Sequence, residues 1–117
     1  MDSRERGKLG ESLALEYLNS NGYETVARGW RSRFGEIDLI VKDHEYLVFV
    51  EVKLRKNASF AHAREYVGKA KQGKIRSTAS LWLSSHCTNL QPRFDVIEVY
   101  TDNEEVKPEI IHIENAF

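Results

Sequence analysis

The chain has 117 residues and one cysteine, and its 17 lysine and arginine residues nearly balance 18 aspartate and glutamate residues. This length is typical of one domain that buries a real core, so residues 1–117 are predicted to form a single domain. The one cysteine excludes an intrachain disulfide and a cysteine-based zinc site, and without an apolar leader or roughly 18 successive apolar residues the chain is expected to be soluble, cytoplasmic and without membrane contact.

The first predicted element is a helix that begins at Asp2 or Ser3 and ends near Ser20, before an Asn-Gly pair. Asp and Ser cap the free amide groups at a helix start, and Asn-Gly is a common stop signal. Residues 23–28 alternate weakly between apolar and polar, which predicts a short first strand. The basic and aromatic stretch 29–35 is expected to be a loop.

Two strands rich in β-branched and aromatic residues dominate the sequence, 37–41 and 46–54. The polar tetrad KDHE between them predicts a β-hairpin. A helical region with apolar residues at three- and four-residue steps follows, from about residue 63 to Ser85. A break in it is expected near Gly68 or Gly73.

The last predicted elements are a strand at 94–100, with Pro92 as the turn into it, and an edge strand at 109–114. Cys87, between the second helix and these strands, is expected to fill a small space in the core. The element order α-β-β-β-α-β-β predicts an α/β fold with a mixed five-stranded sheet flanked by helices.

Two charged residues interrupt the apolar strand 46–54. Side chains alternate across a strand, so Glu51 and Lys53 share the face of Phe49, while the other face is entirely apolar. Buried charges need a partner or a task. In the hairpin, Asp38 joins that face whether the loop is His44-Glu45 or the full KDHE, whereas a slip of one residue would move Asp38 to the opposite face.

Two carboxylates on neighbouring strands repel each other unless a cation or a proton lies between them. Asp38 and Glu51 are therefore candidate ligands for Mg²⁺ or Mn²⁺, with Lys53 to orient a water molecule and stabilise charge on a phosphate. Glu11 of the first helix is a further candidate ligand. Glu36 is less favoured as a ligand, and the glycine before it, Gly35, could distort the backbone there. The alternative is a purely structural charge cluster.

Positive charge is concentrated in residues 1–93, which carry 16 lysine and arginine residues against 11 acidic residues. If folding brings these lysine and arginine residues onto one face of the protein, that face attracts phosphate. Otherwise they are ordinary solvated surface residues. Trp30 and Phe34 either stack on a base or anchor the core and the loop. The candidate phosphate contacts are Arg31, Arg33, Arg55, Lys56, Lys71 and Lys74.

The motif GEID and the motif EVK, with twelve residues between Asp38 and Glu51, are similar to the signature of PD-(D/E)XK nucleases. More closely, the chain resembles the YraN family of small bacterial proteins, which look like Holliday junction resolvases. The resemblance extends over nearly the whole chain, through GxxxExLAxxYL, GWRSRFGEIDLI, LVFVEVKLR, AKQGKI, RFDVIEV and NAF. One departure is Gly29, where the family more often has asparagine.

The resemblance implies a restriction-endonuclease-like fold, metal ligation by Asp38 and Glu51, Lys53 as the catalytic lysine and Glu11 as the helix carboxylate. Lys71 and Gln72 match a helix motif that lies near the site in related nucleases and contacts phosphate. Because junction substrates are two-fold symmetric, the resemblance also implies a homodimer.

Three hypotheses follow for function. The first is a Mg²⁺- or Mn²⁺-dependent endonuclease that hydrolyses phosphodiesters in DNA, rather than RNA, with branched or junction DNA as a substrate. The second is a non-catalytic module that binds nucleic acid or acts in assembly on a nuclease-like fold. The third is a structural interaction protein, which binds neither DNA nor metal.

Overall fold

A mixed five-stranded sheet with a helix on each face makes up the described part of the chain. The computed structural model describes residues 2–55, 67–101 and 107–117. Its elements are α1 (Ser3–Ser20), β1 (Glu24–Ser32), β2 (Gly35–Lys42), β3 (Tyr46–Arg55), α2 (Lys69–Ser85), β4 (Gln91–Tyr100) and β5 (Glu109–Ile113). This arrangement confirms the predicted α/β fold class and the predicted order of elements.

The sheet order is β1-β2-β3-β4-β5, which places β3 at the centre and β5 at an edge, as predicted. The β3–β4 pair is parallel, and the other pairs are antiparallel. A parallel pair requires a crossover connection, and α2 lies in it. The part of the predicted second helix that precedes Val67 lies outside the described residues.

Helix α1 has the predicted bounds because its ends carry suitable capping residues. The Asp2 carboxylate accepts a hydrogen bond of 2.8 Å from the backbone N–H of Glu5. Asn21 caps the other end, and Gly22 follows with φ +90°, a conformation that favours glycine. Neither α1 nor α2 is long and apolar enough to cross a membrane.

The two faces of the sheet each bury a separate apolar cluster. Val48 and Val50 of β3 pack toward α1, and Leu47 and Phe49 pack toward α2, so the predicted alternation along β3 is confirmed. The cluster under α1 comprises Ala14, Leu18, Leu39, Val41, Val48, Val50, Ile97 and Val99. The cluster under α2 comprises Ile37, Ile40, Leu47, Phe49, Val67, Ile75, Ala79, Trp82 and Val96.

The structure corrects several local predictions. The stretch 29–35 is mostly strand, since β1 extends to Ser32 and β2 begins at Gly35. Of the two glycines predicted to interrupt the second helical region, Gly73 lies within α2, whereas Gly68 immediately precedes its first residue, Lys69. Pro92 lies inside β4 opposite Leu47, because β5 pairs only with residues 96–100 and leaves the other side of Pro92 open. The expectation for Cys87 is wrong, because this residue is exposed.

Candidate active site

The β2–β3 hairpin has the register that the shorter of the two expected loops predicts. Ile40 pairs with Phe49, and Lys42 pairs with Leu47. The Asp43 carboxylate fixes the turn, because it accepts hydrogen bonds from the backbone N–H groups of Glu45 and Tyr46 at 2.8 and 2.7 Å. Continued by one residue beyond Leu39–Val50, this register places Asp38 beside Glu51.

The Asp38 side chain takes part in holding β2 against β3. The backbone pairing of the two strands ends at Leu39 and Val50. Beyond that point, Oδ2 of Asp38 accepts a hydrogen bond of 2.8 Å from the backbone N–H of Val52. A carboxylate here replaces a main-chain carbonyl, and it is fixed next to Glu51 on the central strand.

The Asp38 carboxyl group has a strongly perturbed pKa. Burial, and next the negative charge of Glu51, raise the pKa of Asp38 to about 7, although the hydrogen bond from Val52 opposes them. The charges of Glu11 and Glu36 contribute in the same direction. The pocket around Asp38 therefore has an excess of negative charge that a cation would relieve.

Glu51 already has a positively charged neighbour. Oε1 of Glu51 lies 2.6 Å from Nζ of Lys71, which is in the first turn of α2. Glu51 is only 7 % exposed, whereas about half of the Lys71 side chain is exposed. Glu51, a predicted metal ligand, thus already has an ammonium group as its ion-pair partner.

Glu11 lies in the same electrostatic group, held by a partner that the sequence did not reveal. Nε of Arg28 lies 3.5 Å from Oε1 of Glu11, and the same guanidinium donates to the Lys8 carbonyl and the Ser12 hydroxyl. Burial raises the pKa of Glu11, Arg28 opposes this, and the charges of Glu36 and Glu51 add to the rise. Arg28 therefore ties β1 to α1 and orients Glu11.

Glu36 lies beside a break in the alternation of β2 and contributes to the charge around Asp38. Ile37 and Ile40 are three residues apart yet belong to the same cluster under α2, so the alternation of β2 is broken between them. On the paired strand β1, Gly29 has φ +63°. Gly35, the first residue of β2 itself, has φ +153°. The Glu36 charge raises the pKa of both Asp38 and Glu11. The glycine before Glu36 was the only signal of this irregularity in the sequence.

The structure brings together two candidate metal ligands, Asp38 and Glu51, rather than a larger group. Within residues 2–55, 67–101 and 107–117, no three or more His, Cys, Asp or Glu side chains have the arrangement of a metal site. Mg²⁺ in proteins commonly uses one or two carboxylates and completes its octahedron with water and substrate oxygens. The donor set of Asp38 and Glu51 fits that requirement.

Lys53 lies on β3 two residues after Glu51 and directly opposite Glu98 of β4. In the described part of the chain, the half-buried Lys53 ammonium makes no hydrogen bond or ion pair. Arg55 differs, since its Nε lies 3.8 Å from Oε2 of Glu98 and only 22 % of its side chain is exposed. Lys53 is thus available to a ligand, whereas Arg55 is placed as an ion-pair partner.

The remaining phosphate candidates fall into two groups. Arg31, Arg33 and Lys74 are exposed, and Arg31 also lies 3.5 Å from Glu36. Gln72 instead donates a hydrogen bond of 2.7 Å to the Val67 carbonyl at the start of α2. Lys56 lies outside the described residues.

His112 was not among the residues singled out in the sequence, and it lies in a buried polar network on the α1 face. Asp95 is fully buried; it accepts two hydrogen bonds from the Arg93 guanidinium, at 2.9 and 2.8 Å, and lies 2.6 Å from Nε2 of His112. Nδ1 of His112 lies 3.0 Å from the Tyr17 hydroxyl of α1. The signal was an aspartate inside an apolar strand, and the network fastens β5 to β4 and α1.

Comparison with known proteins finds full-length relatives. A model of the uncharacterised protein family UPF0102 matches residues 10–99. A UPF0102 protein of Clostridioides difficile (strain 630) is 41 % identical over 100 % of both chains. One from Acetivibrio thermocellus is 42 % identical over 99 % of this chain and 93 % of its own, and one from Persephonella marina is 39 % identical over 96 % and 92 %.

Proposed function

Because the chain belongs to the uncharacterised protein family UPF0102, also called YraN, we propose its function from its own site: divalent-metal-dependent hydrolysis of phosphodiesters in DNA. The observation that carries this proposal is the position of Asp38, held against β3 by the Val52 N–H beside the buried Glu51. A buried acid next to a half-buried one whose pKa is raised to about 7 is more typical of an active site than of a structural core.

Mg²⁺ or Mn²⁺ would be held by Asp38 and Glu51, with Glu11 as a further contact through water. The ion pair of Glu51 with the Lys71 ammonium supports cation binding by this carboxylate. When bound, a divalent ion supplies Lewis-acid polarisation of the phosphodiester and of the attacking water. The raised pKa of Asp38 supports this assignment, since neutralisation of the pocket favours the ionised carboxylate.

Lys53 and Lys71 supply the positive charges of the proposed site. The Lys53 ammonium, which no described residue engages, is assigned to orient the attacking water and to stabilise negative charge on the phosphate. Lys71 is long and half exposed, so its ammonium can move from Glu51 to a phosphate oxygen when Glu51 acquires another cation. Asp38 and Glu51 remain fixed by β2 and β3 throughout.

The alternative is a DNA-binding module that does not cut, and it also has an observation in its favour. The Lys71 ammonium balances the charge of Glu51, as it would in a purely structural ion pair. DNA as the partner, branched DNA as the preferred substrate and a homodimer as the acting form all come from the resemblance to junction resolvases. The cytoplasm remains the predicted compartment.

A cleavage assay distinguishes the two proposals. Purified protein is incubated with end-labelled linear, flap and four-way-junction DNA in Mn²⁺ or Mg²⁺, with EDTA as the blank. We expect metal-dependent cutting that Asp38→Asn and Glu51→Gln each reduce at least about 100-fold. Glu45→Gln, in the exposed turn of the β2–β3 hairpin, is the matched control and retains activity. Salt-sensitive binding without cutting in any metal would support the non-catalytic alternative.

A further inference from the structure

The turn between β1 and β2 presents an aromatic ring to solvent. The turn consists of Arg33 and Phe34, between the paired residues Ser32 and Gly35. Phe34 is 39 % exposed, and only one other large apolar side chain in the described ranges, Ile111, is exposed to this degree. Trp30, the other aromatic residue of this hairpin, packs against the cluster under α2. The structure therefore separates the two: Trp30 anchors the hairpin, and Phe34 is available.

The turn is braced and does not depend on the exposed ring for its shape. The Ser32 hydroxyl accepts a hydrogen bond of 3.0 Å from the backbone N–H of Phe34 and lies 3.0 Å from the hydroxyl of the buried Thr78. Gly35 lies near Lys74 and Thr78. A Cβ atom at Gly35 would be in van der Waals contact with their side chains, at 3.7 and 3.8 Å. A turn whose backbone is braced in this way loses little backbone entropy on binding a ligand.

The charges around the ring match a nucleic-acid strand. The Arg33 guanidinium lies 4.8 Å from the centre of the Phe34 ring, and Arg31, with 80 % of its side chain exposed, lies two residues earlier. Lys74, whose Cβ lies near Gly35, is exposed. Lys71 lies one turn earlier in α2, next to Glu51. A line of positive charge thus connects the ring with the candidate active site.

We propose that Arg33 and Phe34 form a stacking platform for an unpaired base, with Lys74 and Lys71 holding the phosphates between that base and Glu51. Arginine guanidinium groups and phenylalanine rings both stack on bases, and such stacking is indifferent to base identity. A fully paired duplex hides its base faces and offers nothing to the platform. The protein therefore selects DNA that carries an unpaired or unstacked base over continuous duplex. This inference rests on the proposed function, since it takes DNA as the ligand.

Fluorescence anisotropy in EDTA, where no cutting occurs, tests the platform. The probes are a labelled duplex and the same duplex with a three-nucleotide bulge, each titrated with wild type and variants. Phe34→Ala is expected to weaken binding of the bulged DNA roughly 10-fold and that of the plain duplex less than about 2-fold. Phe34→Trp, which keeps an aromatic ring, is expected to retain the preference for the bulged DNA. Lys74→Ala weakens both probes alike and lowers the salt dependence by about one counterion.

Ile111→Ala, on the opposite edge strand β5, is the control for loss of an exposed apolar side chain and leaves both affinities unchanged. Thermal unfolding confirms that each variant is folded. Equal effects of Phe34→Ala on both probes, no effect on either, or no binding of any DNA by wild type would overturn the platform. The cleavage assay reports separately on the proposed function: a preference that depends on Phe34 without any cutting leaves the platform intact and removes the catalytic proposal.

Discussion

Nζ of Lys71 lies 2.6 Å from Oε1 of Glu51, so that a half-exposed lysine of α2 neutralises a carboxylate buried in the central strand. An acid as buried as Glu51 requires a compensating charge. If Glu51 is a metal ligand, the Lys71 ammonium and the metal ion compete for the same oxygen. This competition allows the two roles of Lys71 to be measured separately.

Replacement of Lys71 by methionine removes the charge and keeps most of the side-chain length. Breaking a fully buried pair costs about 3–5 kcal/mol, and here about 1–3 kcal/mol is expected because water reaches Lys71. Mn²⁺ is then expected to bind the variant more tightly than wild type, since the competing ammonium is gone. Urea denaturation with and without Mn²⁺ measures both effects.

Lys74→Met is the matched control, because Lys74 is an exposed lysine one turn further along α2. Its unfolding free energy should lie within about 0.5 kcal/mol of wild type and its response to Mn²⁺ should be unaltered. Identical behaviour of the two methionine variants would contradict the competition at Glu51.

Asp38 predicts an unusual dependence of stability on pH. Its pKa in the folded chain is about 7 against an ordinary value of 3.8 for aspartate, so the folded state binds a proton more tightly than the unfolded state. In the absence of metal, the contribution of Asp38 to folding is therefore most favourable below about pH 4, decreases as pH rises, and is fully lost above about pH 7. Asp38→Asn removes this dependence while its amide oxygen can still accept the hydrogen bond from Val52.

Asp38→Asn should consequently be more stable than wild type at pH 8 by roughly 2–4 kcal/mol, and the difference should shrink toward zero near pH 4. Unfolding in urea at several pH values measures it, with the exposed Glu45→Gln as a variant in which no such trend is expected. A difference between Asp38→Asn and wild type that does not vary with pH would show that Asp38 titrates normally.

Much of the hairpin geometry was predictable because it follows from local rules. Counting residues through the β2–β3 turn left two registers, and the one with the shorter loop places residue 40 opposite 49, as observed. Period-two alternation predicted which β3 residues lie on each face of the sheet. The Lys71–Glu51 contact joins residues twenty positions apart on different elements. Local sequence patterns do not predict a contact between residues so far apart in the chain. Lys71 was predicted to contact phosphate near the site and not to pair with Glu51.

The backbone geometry around Glu36 could not be predicted, for a different reason. Alternation assumes a regular strand, and β2 is irregular between Ile37 and Ile40. The opposite strand contains Gly29 at φ +63°, where the backbone adopts the left-handed conformation. Similarly, the Arg28–Glu11 pair depends on how α1 crosses β1, which no periodicity specifies.

Gly29 provides a direct test of this backbone geometry. Alanine at φ +63° is strained, so Gly29→Ala should destabilise the chain by about 1–2 kcal/mol. Gly29→Asn should cost less, because asparagine tolerates the left-handed region better than alanine does. Space is not limiting, since an added Cβ would meet only Glu36 Oε1 at 3.5 Å. Thermal unfolding ranks the variants, and equal losses for Ala and Asn would point to packing in place of backbone conformation.

The Asp95 network is predicted to act on stability and not on DNA. Asp95→Ala leaves the buried Arg93 without its bidentate partner and should cost about 3–5 kcal/mol. Burial alone would raise the pKa of Asp95, but hydrogen bonds from His112 and Arg93 lower it, so this contribution is present above the unfolded pKa and is lost in acid. Glu114→Ala, which removes an exposed carboxylate 3.7 Å from Arg93, should cost less than about 1 kcal/mol. Comparable losses in urea denaturation would contradict this assignment.

The central claim is that Asp38 and Glu51 together bind a divalent cation, and a titration with Mn²⁺ followed by thermal unfolding at pH 8 tests it most directly. Wild type should be stabilised progressively, by about 2.7 kcal/mol when Mn²⁺ reaches 100 times its dissociation constant. Asp38→Asn and Glu51→Gln should each show little or none of this increase, whereas Glu45→Gln should follow wild type. Stabilisation of Asp38→Asn equal to that of wild type, or no stabilisation of wild type at any Mn²⁺ concentration, would contradict the claim.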